Sequence, residues 1–281
     1  MDEFEIMAEN LKNQEEMGYK EIKDCVDAIK SMYCGIRSHE LDIMISSLQK
    51  DQRNNVKASA ESLLKHMDRH DAEILRVLGL YGFDRSFGNY GIIAGVDEVG
   101  RGPLAGPIVA AAVVLDENSV KNKDIILGIK DSKKLSPHIR EELAEIIKSK
   151  ALCYNIHEFS NYDIDEKGIS WCNNEVLKKA AVNLPMKPQL VISDGYPIKG
   201  IQIRNEFAVK GDSKSASIAC ASIVAKVYRD NLMKDYSLLY PQYGFENNAG
   251  YGTKEHVDAI IKYGITKIHR KSFLSSIITR I

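Results

Sequence analysis

The sequence contains no CxxC pair, and its five cysteines (Cys25, Cys34, Cys153, Cys172 and Cys220) are odd in number and widely spaced. That spacing points away from both a zinc site and a disulfide framework. Reduced thiols in a cytoplasmic protein are the expectation that remains. No apolar run approaches the ~20 residues needed to cross a bilayer. The opening Met1-Asp2-Glu3-Phe4-Glu5 is acidic and has no apolar h-region, so no secretory signal is expected. Repeats and low-complexity tracts are also missing. What is present is the composition of a globular protein: 281 residues, 44% hydrophobic and 27% charged. A chain of that length can bury a core without metal or disulfide staples.

A net charge of −1 conceals an asymmetry. Residues 1–90 carry 12 basic against 17 acidic side chains, whereas residues 91–281 carry 26 against 22. Several acids of the second part are candidate metal ligands, so the rest of its surface is more basic than the total implies. Such a surface suits a polyanionic partner.

The patterning also divides near residue 90. Before it, Leu63, Leu64, Met67, Ile74, Leu75 and Leu78 recur at helical spacing, and Gly79-Leu80-Tyr81-Gly82-Phe83 is expected to break that helix. A helical extension over 1–90 is therefore predicted. From residue 91, Ile92–Val96 and Ile108–Leu115 read as two paired strands. Ser136-Pro137 supplies an N-cap and a first-turn proline for a helix to about Lys150. A strand over Ala151–His157, a helix from Ile169 to Leu184, a buried strand at Leu190–Ser193 and an extended segment at Ile201–Val209 follow. A long helix from Ser213 to Tyr240 and a shorter one from Thr253 to Lys262 complete the pattern. Strands in a meander and then alternating with helices predict an α/β domain with a mixed sheet over 91–281.

The chemistry concentrates in Ala94-Gly95-Val96-Asp97-Glu98-Val99-Gly100-Arg101-Gly102-Pro103-Leu104-Ala105-Gly106-Pro107. Two adjacent carboxylates end an apolar strand, and glycines follow closely. A dinucleotide-binding loop would need a helix next, but Pro107 is followed by the strand-like Ile108–Leu115. Neighbouring strand residues point to opposite faces, so Asp97 and Glu98 can share a site only where the strand ends or twists. A hairpin with two merely exposed acids is the alternative.

This segment resembles the signature of the ribonuclease HII family, and further blocks continue the likeness in order. They are Lys130–Ser136, Ile192–Gly195, Lys210–Ala219, Gly250–His256 and His269–Phe273. The related ribonuclease HIII usually has Lys where Arg101 stands, and its N-terminal domain is rich in strands. The resemblance implies a ribonuclease H-like fold and an endonuclease acting on RNA–DNA hybrids and on duplex DNA with embedded ribonucleotides. Cleavage on the 5′ side of a ribonucleotide would leave 5′-phosphate and 3′-OH ends, in ribonucleotide and RNA-primer removal. It also implies Mg²⁺ or Mn²⁺ held by Asp97, Glu98, Asp194 and Asp212, which agrees with the preference of hard cations for carboxylate oxygens.

Bland roles stand beside these. Asp194-Gly195 makes an ordinary turn, although strand C-termini are also where α/β sheets place their sites. Asp212 would serve as an N-cap of the long helix. By resemblance, Gly100-Arg101-Gly102 reads the ribose 2′-OH and Tyr251 stacks on the adjacent sugar; otherwise Arg101 pairs with an acid and Tyr251 packs. Lys133, Lys210, Lys214 and Lys254 are candidate phosphate contacts or solvated surface groups. His256 and His269 lack metal-ligand spacing. Ala216, Ala219, Ala221, Ser222 and Ala225 suggest close helix–sheet packing rather than chemistry. A monomer is expected.

Overall fold

The computed structural model describes residues 11–120 and 124–275. The acidic opening Met1–Glu5 lies outside them. The chain forms two compact units, Met1–Arg76 and Val77–Ile281.

The first unit is helical. Helices α1 (Tyr19–Met32), α2 (His39–Lys50) and α3, which begins at Asn54, bury apolar positions at helical spacing. Ile22, Val26 and Ile29 meet Leu41, Met44 and Leu48, and Leu63 and Met67 close the core.

Helix α3 does not break at Gly79–Phe83; it runs on to Ser86. Each interior glycine costs a helix about 1 kcal/mol against alanine. Burial of Val77, Leu80 and Tyr81 in the second unit's core outweighs that cost. The buried face also differs from the expected stripe, since Leu75 is 69% exposed while Val77 is fully buried.

The second unit is built on a five-stranded sheet in the order β3-β2-β1-β4-β5. The strands are β1 (Ile93–Val99), β2 (Ile108–Val114), β3 (Cys153–Phe159), β4 (Leu190–Asp194) and β5 (Arg204–Ala208). Strands β1, β2 and β3 form an antiparallel meander, whereas β4 pairs parallel to β1 and β5 parallel to β4. The mixed sheet is therefore as the pattern implied.

Alternation along β2 assigns the two faces. Val109, Ala111 and Val113 pack with α4 (Pro137–Lys150) and α7 (Ala216–Leu239). Ile108, Ala110 and Ala112 pack instead with α6 (Ile169–Val182). Ser136 caps α4 as expected, accepting from the Ile139 amide.

A short helix α5 (Asn161–Lys167) was not anticipated, although Ser160 and Asp163 form its capping box. After α7 come α8 (Phe245–Asn248) and α9 (Lys254–Tyr263). The small residues of α7 do allow close packing: a Cβ on Gly95 would lie 2.2 Å from the Ser217 backbone. All five cysteines are unpaired. Among the described residues no helix is long and apolar enough to cross a membrane.

Candidate active site

Asp97 and Glu98 sit near the C-terminal end of β1, opposite Ala111 and Ala110 of β2. Alternation sends their side chains to different faces. Asp97 lies on the α7 side and Glu98 on the α6 side, where Tyr196 Oη is 3.5 Å from Glu98 Oε1. They nevertheless line one cleft of about 360 Å³, because it opens where the sheet ends. Asp194 is the last residue of β4 and lines the same cleft. Its Oδ1 accepts from the Gly211 amide at 2.6 Å, tying β4 to the turn that carries Asp212.

Asp212 lies in a 3-10 turn, Gly211–Ser213, and also reaches the cleft. It does not cap α7. Ser215 does, accepting from the Ile218 amide at 3.1 Å. Asp194-Gly195 is both a turn and a wall of the cleft: Gly195 adopts φ +78°, and the Tyr196 amide donates to the Asp194 carbonyl.

The acids are electrostatically crowded. Burial, and then the neighbouring Glu98, raise the Asp97 carboxyl well above its usual range, while the Ser222 hydroxyl pulls the other way. Glu98 is pushed up to about 7 by burial and by Asp194, with Arg101 opposing. Asp212 is raised by burial and by Asp131 and Asp194. Four hard oxygen donors with too little counter-charge are what a divalent cation relieves. Among the described residues no three acid, thiol or imidazole groups stand in a closed single-ion geometry. The carboxylates line the cleft instead. Carboxylate oxygens are the donor type that suits a hard divalent cation such as Mg²⁺ or Mn²⁺.

Of the other expected residues, Lys133 and Tyr251 line this cleft. A Cβ on Gly102 would lie 3.8 Å from the Tyr251 ring, so the Gly100–Gly102 turn is its neighbour. Arg101 is exposed, makes no ion pair among the described residues, and lines a second hollow of about 370 Å³ with Asn173, Tyr196 and Lys199. Lys210, Lys214 and Lys254 are exposed and do not line the cleft.

Sequence reasoning missed Ser132, whose hydroxyl lies 3.0 Å from that of Ser222, and Lys226, which also lines the cleft and pairs with Asp230 at 2.6 Å. It read Ser222 as packing only. Tyr196 and Asn173, hydrogen-bonded to each other behind Glu98, were also missed. The Ser132 position falls inside the Lys130–Ser136 block, the one signal available for any of them.

His256 and His269 form a buried pair outside the cleft, with their Nε2 atoms 3.0 Å apart. The Thr266 amide donates to His269 Nδ1, so the His269 proton sits on Nε2 and is donated to His256. His256 must then carry its proton on Nδ1, which donates to the Tyr251 carbonyl at 2.8 Å. The pair anchors the backbone of Tyr251.

A mixed sheet in this order, with carboxylates gathered at the ends of its central strands, defines a nuclease of the ribonuclease H-like class. The family model described as Ribonuclease HII matches residues 94–276. A ribonuclease HII of Clostridium botulinum (strain Langeland) is 56% identical over 269 residues, covering 96% of this chain and 100% of that one. The Clostridium acetobutylicum protein of the same name is 56% identical over 262 residues, covering 93% and 100%. Among solved structures, ribonuclease H2 from Pyrococcus horikoshii OT3 superposes with a TM-score of 0.58 at 28% identity, covering 67% of this chain and 98% of its own. The chain belongs to the ribonuclease HII family and is an endonuclease of the ribonuclease H type.

Proposed function

We propose that this enzyme hydrolyses the phosphodiester on the 5′ side of a ribonucleotide, either embedded singly in duplex DNA or within the RNA strand of a hybrid, leaving 5′-phosphate and 3′-OH ends. The observation that carries the reading is the convergence of four carboxylates, from the ends of β1 and β4 and from the turn after β5, on one cleft beside the Gly100–Gly102 turn. Asp97, Glu98, Asp194 and Asp212 would hold Mg²⁺ or Mn²⁺, which supplies an activated water and offsets charge on the phosphate.

The protein's own groups do the rest. Amides of the Gly100-Arg101-Gly102 turn approach the ribose 2′-OH, the group that separates RNA from DNA. The exposed Tyr251 ring lies next to that turn and offers a stacking surface for the adjacent sugar. Lys133 and Lys226, which line the same cleft, would contact a phosphate there. Lys214 stands beyond the cleft, where it meets the duplex only further along its backbone.

The test is a DNA duplex with a single ribonucleotide, incubated with Mg²⁺ or Mn²⁺ and then with EDTA. Cutting 5′ of the ribonucleotide that EDTA stops is expected. No cleavage with any divalent metal sinks the reading, and cleavage of hybrids alone points to the specificity of the related HIII enzymes.

A further inference from the structure

The deepest charges of the second unit lie outside the acid cleft. Arg229 of α7 and Arg270 are both fully buried, at 0% exposure. Neither has a carboxylate within ion-pair distance among the described residues. A buried guanidinium without a counter-ion is costly unless every donor is satisfied, and here backbone carbonyls do it.

Arg229 donates to the carbonyls of Pro107, Ala249 and Ala105. Arg270 donates to those of Gly106, Arg101, Gly100 and Pro107. Six of these seven bonds end on the single loop from Gly100 to Pro107, and Pro107 is shared. Gly100 has φ +92°, and a Cβ there would lie 2.3 Å from Arg229 Nε, so the space a side chain would take belongs to the guanidinium.

The consequence follows from peptide geometry. In a trans peptide the carbonyl and the next residue's N–H point in opposite directions. Arg270 draws the Gly100 and Arg101 carbonyls inward, so the Arg101 and Gly102 amides face outward. Both residues are exposed, and neither amide finds an acceptor among the described residues. Two free donors therefore stand side by side next to the Tyr251 ring, with two uncompensated positive charges behind them.

We infer that Arg270, seconded by Arg229, is a positioning residue for ribonucleotide recognition, aiming the Arg101 and Gly102 amides at the substrate. This deepens the proposed reading of the turn and rests on it. Neither arginine touches the substrate. They act through the backbone, and their charge favours an electron-rich partner at the amides.

The test compares affinities for one DNA duplex with and without a single ribonucleotide, by fluorescence anisotropy with Mg²⁺, in full-length chain carrying Asp194→Asn to prevent cutting. Arg270→Lys keeps a long basic side chain and loses the planar fork. It is expected to reduce the preference for the ribonucleotide duplex about tenfold, the worth of one ordinary hydrogen bond, with all-DNA affinity unchanged within about twofold. Folding is checked by circular dichroism melting. If Arg270→Lys does not fold, Arg229→Lys, which relaxes the shared Pro107 anchor, is expected to lower the same ratio about threefold.

An unchanged ratio in a folded variant, an equal loss for both duplexes, or collapse of both variants overturns the inference and leaves the arginines purely structural. Equal affinities before any arginine is changed overturn the reading of the turn itself, and this inference with it.

Discussion

At Asp194 one carboxylate oxygen is committed to the Gly211 amide, leaving the other for the cleft. Asparagine retains an acceptor for that amide but not the negative charge. Asp194→Asn is therefore expected to fold normally and bind duplex with near-native affinity. Its cleavage rate should fall on the order of 10³-fold, since several kcal/mol of charge stabilisation at the phosphate are lost. Single-turnover cleavage and anisotropy on the same duplex check both halves, and normal activity would remove Asp194 from the site. Similar thinking applies to Asp97 and Glu98, whose carboxyls are raised first by burial and then by a neighbouring acid, Glu98 and Asp194 respectively. Ser222 and Tyr196 act on those two from opposite faces of the sheet, which neither residue type announces by itself.

Among elements, helix α7 decides most. Its N-terminal turn follows Asp212, its first buried turns lie against Gly95 of β1, and Ser222 and Arg229 project from it toward the two halves of the site. That N-terminus is met by Asp84 from the end of α3, whose Oδ2 accepts from the Ser217 amide at 2.9 Å. Its other oxygen is buried and has no partner. Burial lifts the Asp84 carboxyl to about 6, against the pull of the Ser215 and Ser217 donors.

The folded pKa thus lies above the unfolded one, so the fold favours the protonated acid. That contribution is complete below about pH 4 and is lost as pH rises through 6. The wild type is expected to lose on the order of 1 to 3 kcal/mol relative to Asp84→Asn between pH 4 and pH 8. Urea denaturation of both proteins across that range measures the gap, and a pH-independent difference would contradict the assignment.

For the whole molecule, the question is where the catalytic unit begins. The archaeal structure is matched almost whole by two thirds of this chain, whereas the clostridial relatives align along nearly all of it. Helix α3 starts in one compact unit and ends in the other. Val77, Leu80 and Tyr81 belong to the catalytic core, and the Tyr81 hydroxyl accepts from the Ile126 amide at 3.3 Å. A chain starting at Val77 is expected to fold and cleave. One starting at residue 91 loses three core side chains worth about 1.5–3 kcal/mol each, and should melt far lower or aggregate. Thermal melting and cleavage by the two truncations decide, and equal stability would show those last helical turns to be dispensable.

Much of this was legible in order along the chain. Ser136-Pro137, the apolar runs of β1, β2 and β4, and the blocks around Asp97, Asp194 and Asp212 carry local signals a few residues long. Those signals determined by themselves the mixed α/β class, most helices and strands, and the family. They failed where a distant surface overrode a local preference, as at Gly79 and Gly82 in α3. They were also silent wherever function depends on a side chain whose neighbours are remote. Arg270 reaches the Gly100 carbonyl across 170 positions and Arg229 reaches Pro107 across 122. Only tertiary structure decides such pairings, because burial and free carbonyls, not residue type, turn an ordinary arginine into the backing of the Gly100–Pro107 loop.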